Sequence, residues 1–110
     1  MKLVVIESPF RAETSAETEA NVAYARACMA DSIARGEAPI ASHLLYTQPG
    51  ILDDAIAAER ARGIEAGLAW GRHAELTAVY VDRGWSEGMR AGVNRALSEG
   101  RPVEKRSLTR

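Results

Sequence analysis

Residues 3–6 near the start of the chain form a continuous apolar run, Leu-Val-Val-Ile. Strands of a parallel sheet are covered on both faces, so they read as continuous apolar runs and do not alternate. Similar runs at residues 38–42 and 76–81 predict a second and a third strand, and residues 101–104 predict a short fourth. Parallel strands need long crossover connections, usually helices, so this feature constrains the fold most.

Segments with helical periodicity lie between these runs. Thr14 and Glu17 have the spacing of a capping box, and Ser86 is a good N-cap for a later helix. The predicted helices span residues 14–35, residues 51 or 53 to 71, and residues 88–99. Gly63 and Gly67 within the second helix predict the close approach of another part of the chain, because glycine otherwise costs about 1 kcal/mol there.

The order β-α-β-α-β-α-β over 110 residues predicts one α/β domain spanning residues 1–110. Right-handed crossovers leave few arrangements of such a sheet. We expect a three-layer Rossmann-like sandwich with about four parallel strands in the order 2-1-3-4 and helices on both faces.

Composition excludes several classes of function. The formal net charge of −1 gives no general attraction to a nucleic acid polymer or to an anionic membrane. Cys28 is the only cysteine, which excludes an intrachain disulfide, and its alanine-rich surroundings predict a small buried side chain. We expect no metal and no cofactor. The first apolar run is too short for a secretory leader, and no run approaches the ~20 residues of a membrane span, so a cytoplasmic protein is expected.

The strand order also predicts where a ligand binds. In an open parallel sheet the site lies beyond the carboxyl ends of the strands, where the winding reverses, here between strands 1 and 3. Three segments should meet there, residues 8–11, 42–54 and 82–89. Residues 42–54 read SHLLYTQPGILDD, which is longer and richer in chemically active side chains than most connections. We therefore predict that this stretch forms one wall of a pocket.

Four titratable residues in these segments are candidates for catalysis. His43 has the side chain most suited to general acid–base work at neutral pH, and Asp82, Glu87 and Asp53 can supply a carboxylate. Simpler structural roles are also open. His43 can be a half-buried loop residue, Asp53 a helix cap and Asp82 a turn former.

Other residues of the three segments are candidates for binding. Aromatic side chains can stack on a base, and the free N–H groups at a helix start attract an anion such as phosphate. Arg11 can bind phosphate or stay solvated. The predicted binding residues are Ser8, Pro9, Phe10, Arg11, Tyr46, Trp85, Ser86, Gly88 and Met89.

Three stretches resemble the nucleoside 2-deoxyribosyltransferase-like superfamily, including its small phage and bacterial branches. They are LVVIESPF, GIEAGLAWGRHAELTAVYVD and GWSEGMRAGVNRALSEGRPV. The resemblance implies a nucleoside or nucleotide ligand and cleavage or transfer of its N-glycosidic bond. It also implies aspartates that hold the base and active sites completed by a neighbouring subunit. We accordingly expect a homodimer or a higher even-numbered oligomer.

One residue that the resemblance implies is missing. Members of the superfamily carry a nucleophilic glutamate on the helix after the Ser-Gly loop, and its place falls at or near Gly92, with no carboxylate among the neighbouring residues. Three functions stay open at this stage. They are an N-glycosidase or deoxyribosyltransferase-like enzyme, a non-catalytic protein that senses or sequesters a nucleotide, and an interaction protein that keeps the fold without the ligand.

Overall fold

The protein has a four-stranded parallel sheet at its centre. The computed structural model describes residues 1–109. The strands are β1 (Leu3–Glu7), β2 (Ala38–Ile40), β3 (Leu76–Tyr80) and β4 (Val103–Arg106). Their order is β2-β1-β3-β4, and each neighbouring pair is parallel. The predicted order 2-1-3-4 and the Rossmann-like α/β class are confirmed.

Helices cover both faces of this sheet. The helices are α1 (Ser15–Ala34), α2 (Ser42–Leu45), α3 (Ala57–Gly71) and α4 (Glu87–Ser98). On one face, Cys28 of α1 is fully buried in a cluster of sheet residues, namely Val4, Ile6, Leu76, Ala78 and Tyr80. Successive side chains of a strand point to opposite faces. The alternate β1 residues Val5 and Glu7 accordingly lie against Gly71 of α3 and Gly92 of α4.

The ends of α1 and α4 follow the sequence signals. The Thr14 side chain accepts a hydrogen bond from the backbone N–H of Glu17 at 3.1 Å, and Ser86 accepts one from Met89 at 3.2 Å. Satisfying these free N–H groups fixes where each helix begins. The buried face of α1 is not wholly apolar, because Ile33 is 57% exposed while Asn21 and Ser32 are buried.

The chain between β2 and α3 departs from the prediction. The four-residue helix α2 was not predicted, and α3 begins at Ala57, later than Ile51 or Asp53. Asp53 is not the helix N-cap, because its carboxylate accepts a hydrogen bond from the N–H of Ala55 at 2.9 Å and closes a local turn. Such Asx turns compete with helix formation. The turn delays the helix by four to six residues.

The glycine pair of α3 accommodates α2 and the loop after it. A β-carbon on Gly67 would lie 2.7 Å from the Ser42 β-carbon, and one on Gly63 would lie 3.3 Å from Leu52 Cδ1. The predicted close approach is therefore present, and its partner is the stretch of residues 42–52. Within residues 1–109, no helix is long and apolar enough to cross a membrane.

Candidate functional site

A hydroxyl–imidazole pair lies at the carboxyl end of β1. Ser8 directly follows β1, and His43 lies on α2, directly after β2. Ser8 Oγ and His43 Nε2 are 2.9 Å apart, which is hydrogen-bonding distance. The Phe10 ring meets the His43 ring edge-on, with centroids 6.2 Å apart. The parallel arrangement of β1 and β2 thus joins His43 to Ser8 and Phe10, two predicted site residues that lie far from it in the sequence.

The surroundings of His43 keep its ring neutral. Burial lowers the pKa of His43 from 6.5 to about 4, because a buried imidazolium loses its hydration. At neutral pH the ring has one N–H donor and one acceptor nitrogen. The ring can therefore either accept a hydrogen bond from the Ser8 hydroxyl or donate one to the Ser8 oxygen. It can also exchange a proton with a bound molecule.

A carboxyl group that was not among the predicted site residues lies at the same edge of the sheet, on the α4 side. Glu7 is the last residue of β1, and its carboxyl group lies against the backbone of Gly92, where a β-carbon would overlap it. Burial raises the pKa of Glu7 to about 8, with an opposing contribution from the Arg101 charge. The Glu7 carboxyl group therefore occupies the space that a side chain at position 92 would need.

The sequence did contain a signal for Glu7. A glutamate ends a strand whose other residues are apolar, LVVIE, and a strand of a doubly covered sheet seldom carries a charge. The meaning of this signal depends on Gly92, which lies 85 positions further along the chain. A reading of local patterns does not connect the two residues.

Residues 42–54 form a wall of a pocket, as their composition suggested. This pocket is small, with a volume of about 70 Å³, and opens to solvent. His43 and Tyr46 line it on one side, and Arg60 and Ile64 of α3 on the other. Phe10 and Asp53 line a neighbouring open depression. Since His43 also contacts Ser8, this one side chain joins the pocket to the end of β1.

Arg11 contacts the same region from the β1 side. Its guanidinium donates a hydrogen bond to the backbone oxygen of Asp54 at 2.9 Å and lies 3.9 Å from the Asp54 carboxylate. About half of the Arg11 side chain remains exposed, so its charge is screened by solvent. Arg11 therefore ties residue 54 to the segment after β1.

Asp82 holds the segment after β4. Its carboxylate accepts hydrogen bonds from the Tyr24 hydroxyl, the Ser107 hydroxyl and the backbone N–H groups of Leu108 and Thr109. These bonds, that of Ser107 first, lower the pKa of Asp82 well below its ordinary value. No hydrogen bond within residues 1–109 joins Asp82 to Ser8 or His43. Asp82 therefore anchors this segment, and its carboxylate oxygens are engaged in these hydrogen bonds.

The remaining predicted residues cluster at the start of α4. Trp85 is 40% exposed, and the Arg90 guanidinium lies 5.3 Å from the centre of its ring. Ser86 and Met89 cap the helix reciprocally, with the Met89 sulfur accepting from the Ser86 N–H at 3.4 Å. Gly88 and Glu87 are exposed in the first turn of α4. Pro9, another predicted binding residue, follows β1 and is buried. Met89 is buried, so its side chain belongs to the core.

Comparisons with known proteins agree with this architecture. A 2-deoxyribosyltransferase from the psychrotolerant bacterium Bacillus psychrosaccharolyticus superimposes with a TM-score of 0.65 at 18% identity, covering 96% of this chain and 72% of that one. The protein thus has a deoxyribosyltransferase-like fold. It belongs to the family described as a domain of unknown function, DUF7768, whose model matches residues 2–106. Among curated proteins, no sequence matches it.

Proposed function

We propose that this protein binds a nucleoside or nucleotide at the carboxyl edge of its sheet, in the pocket beside Ser8 and His43, and cleaves or transfers its N-glycosidic bond. The observation that carries the proposal is the Ser8–His43 hydrogen bond at the carboxyl end of β1, beside a solvent-open pocket. Ligands of open parallel sheets bind at this position. The likeness to a 2-deoxyribosyltransferase, which is a likeness of fold, supports the class of ligand.

The other predicted site residues have separate roles in this proposal. Phe10, Tyr46 and Trp85 offer aromatic faces to the base. Arg11 and the N–H groups near Ser86 and Gly88 attract a phosphate or a sugar hydroxyl. His43 exchanges a proton during the reaction. Asp53, Glu87 and Asp82 remain candidates for holding the base, although Asp82 must then release some of its hydrogen bonds.

The test is to incubate the purified protein with a panel of deoxynucleosides, ribonucleosides and their monophosphates. Chromatography should detect free base, and a second base added to the mixture should give an exchanged nucleoside if transfer occurs. His43→Ala should lower base release by about 100-fold or more, as is typical for loss of an acid–base group. Full activity of His43→Ala would remove His43 from the reaction.

Binding without reaction is the second candidate function. Two observations favour it. The acceptors of Asp82 are occupied, and Gly92 supplies no carboxylate on α4. A binder should raise its melting temperature with one member of the panel while releasing no base, because a ligand at about 100 times its Kd stabilises by ~2.7 kcal/mol. Release of base in the same samples would exclude a purely binding role.

A further inference from the structure

The pair formed by Glu7 and Gly92 is the least ordinary contact between β1 and α4. A β-carbon at position 92 would overlap the Glu7 carboxyl group, so any side chain there must displace it. Gly92 lies inside a helix, where glycine is less favourable than alanine. An apolar residue at position 7 and alanine at position 92 would serve stability better. The protein instead keeps a carboxyl group in a slot that only glycine leaves open.

This carboxyl group has no hydrogen-bond partner within residues 1–109. The charged group that acts on it is Arg101, from the segment between α4 and β4. The guanidinium of Arg101 is already engaged, since it donates to Thr77 Oγ1 and to the Glu99 carboxylate at 2.9 Å each. Glu7 as a residue is partly buried and not fully enclosed. A partly buried carboxyl group without a hydrogen-bond partner does not stabilise the fold, so stability does not explain why the group is there.

The position of Glu7 in the fold accounts for its unpaired carboxyl group better than stability does. The residue is the last of β1, and the next residue, Ser8, holds His43. Glu7 therefore lies at the carboxyl edge of the sheet, where ligands bind in this class of fold, and its carboxyl group is on the α4 side of that edge. Residues with strongly shifted pKa values are often found at functional sites.

We propose that the carboxyl group of Glu7 is the acid–base catalyst that protonates the leaving base. This inference rests on the proposed function. As the bond between the base nitrogen and the sugar C1′ breaks, the bonding electron pair goes to the nitrogen, which takes the proton of the Glu7 carboxyl group. A water oxygen forms the new bond to C1′, and the water proton passes to the Glu7 carboxylate. The products are free base and free sugar, and Glu7 returns to its starting state.

The electrostatics of the slot agree with a proton donor. A carboxyl group whose pKa is about 8 is mostly protonated at pH 7, whereas an ordinary glutamate is not. Enzymes raise the pKa of a catalytic acid in this way, by burial. The rate should therefore fall as the pH rises through about 8.

The experiment compares wild type, Glu7→Gln and Gly92→Ala in the same base-release assay, with ligand binding followed by thermal shift. Glutamine keeps the size of the protonated side chain but cannot give up a proton. We expect Glu7→Gln to lower base release by 100-fold or more with binding retained, and Gly92→Ala to lower it by displacing the carboxyl group. Glu19→Gln, which changes an exposed carboxylate of α1, is the matched control and should keep full activity.

The outcomes separate this proposal from the one on which it rests. Base release by Glu7→Gln at the wild-type rate would overturn the role of Glu7 and leave the proposed function standing. Absence of base release by wild type across the whole panel would overturn both. If Glu7→Gln does not fold, the wild-type pH profile decides, and a rate that does not fall between pH 7 and pH 9 would contradict the proposal.

Discussion

At the scale of single residues, Glu7 should make stability depend on pH. Its pKa is about 8 in the folded protein and near 4.5 in the unfolded chain, so the folded state binds more protons between these values. The free energy of unfolding should therefore fall as the pH rises from about 4.5 to 8. Glu7→Gln should reduce this fall, and urea unfolding at pH 5, 7 and 9 measures it. An unchanged slope would show that Glu7 titrates normally.

The contact between Ser8 and His43 should appear as a measurable coupling. Ser8→Ala leaves a half-buried imidazole without its partner, which should cost about 1–3 kcal/mol of unfolding free energy. Removing both partners should cost less than the sum of the single changes. A double-mutant cycle with Ser8→Ala and His43→Ala at pH 7 measures the difference, which we expect to be about 1 kcal/mol. Strict additivity would mean that the hydrogen bond contributes nothing.

At the scale of elements, the packing of α2 on α3 depends on Gly67. A methyl group there would press on Ser42, and overpacking of this kind costs about 1–3 kcal/mol, of which the better helix propensity of alanine offsets about 1 kcal/mol. Gly67→Ala should therefore destabilise the protein in urea unfolding. Gly63→Ala is the control, because its nearest neighbour is the end of the flexible Leu52 side chain at 3.3 Å. Equal effects of the two changes would contradict this account of the packing.

The segment after β4 should loosen when Asp82 loses its charge. Asparagine keeps one acceptor oxygen, whereas the Asp82 carboxylate accepts from Ser107, Leu108 and Thr109 together. In Asp82→Asn we expect faster hydrogen exchange at the Leu108 and Thr109 amides, with little change in the strands. Unchanged exchange at these two amides would show that the charge of Asp82 is unnecessary for holding the segment.

At the scale of the whole molecule, we expect a homodimer or a higher even-numbered oligomer. The chain of 11.9 kDa exposes 53% of Ile64 and 58% of Trp70 on α3. Sedimentation at micromolar concentration should give an even multiple of that mass, and Trp70→Lys should lower it. Ile33→Lys, at a residue 57% exposed on α1, is the matched control and should leave the mass unchanged. A single species of 11.9 kDa in wild type would refute the expectation.

The architecture was predictable because its signals are local. Apolar runs mark β1 and β3, and side-chain caps at Thr14 and Ser86 mark where two helices begin. With these elements in order, the rules for parallel sheets leave the observed topology. The start of α3 was not predictable in the same way. Asp53 suits either a helix cap or an Asx turn, and contacts outside the segment decide between them.

The candidate site was predictable only in part. Ser8 and His43 could be placed together because each follows a strand at the same edge of the sheet. The position of Asp82 was also foreseeable, but its bonds to Ser107 and Leu108 were not, since they depend on how the chain returns after β4. Glu7 was missed because its surroundings are created by a glycine on a distant helix.

The slot between β1 and α4 also bears on how the chain tolerates sequence change. Because a methyl group at position 92 would occupy the space of the Glu7 carboxyl group, alanine at 92 should be harmful where Glu7 is present. In a Glu7→Ala background the same alanine should be accepted or even favoured. Natural drift at positions 7 and 92 is therefore expected to be epistatic, and a saturation library at 92 built in both backgrounds would reveal it.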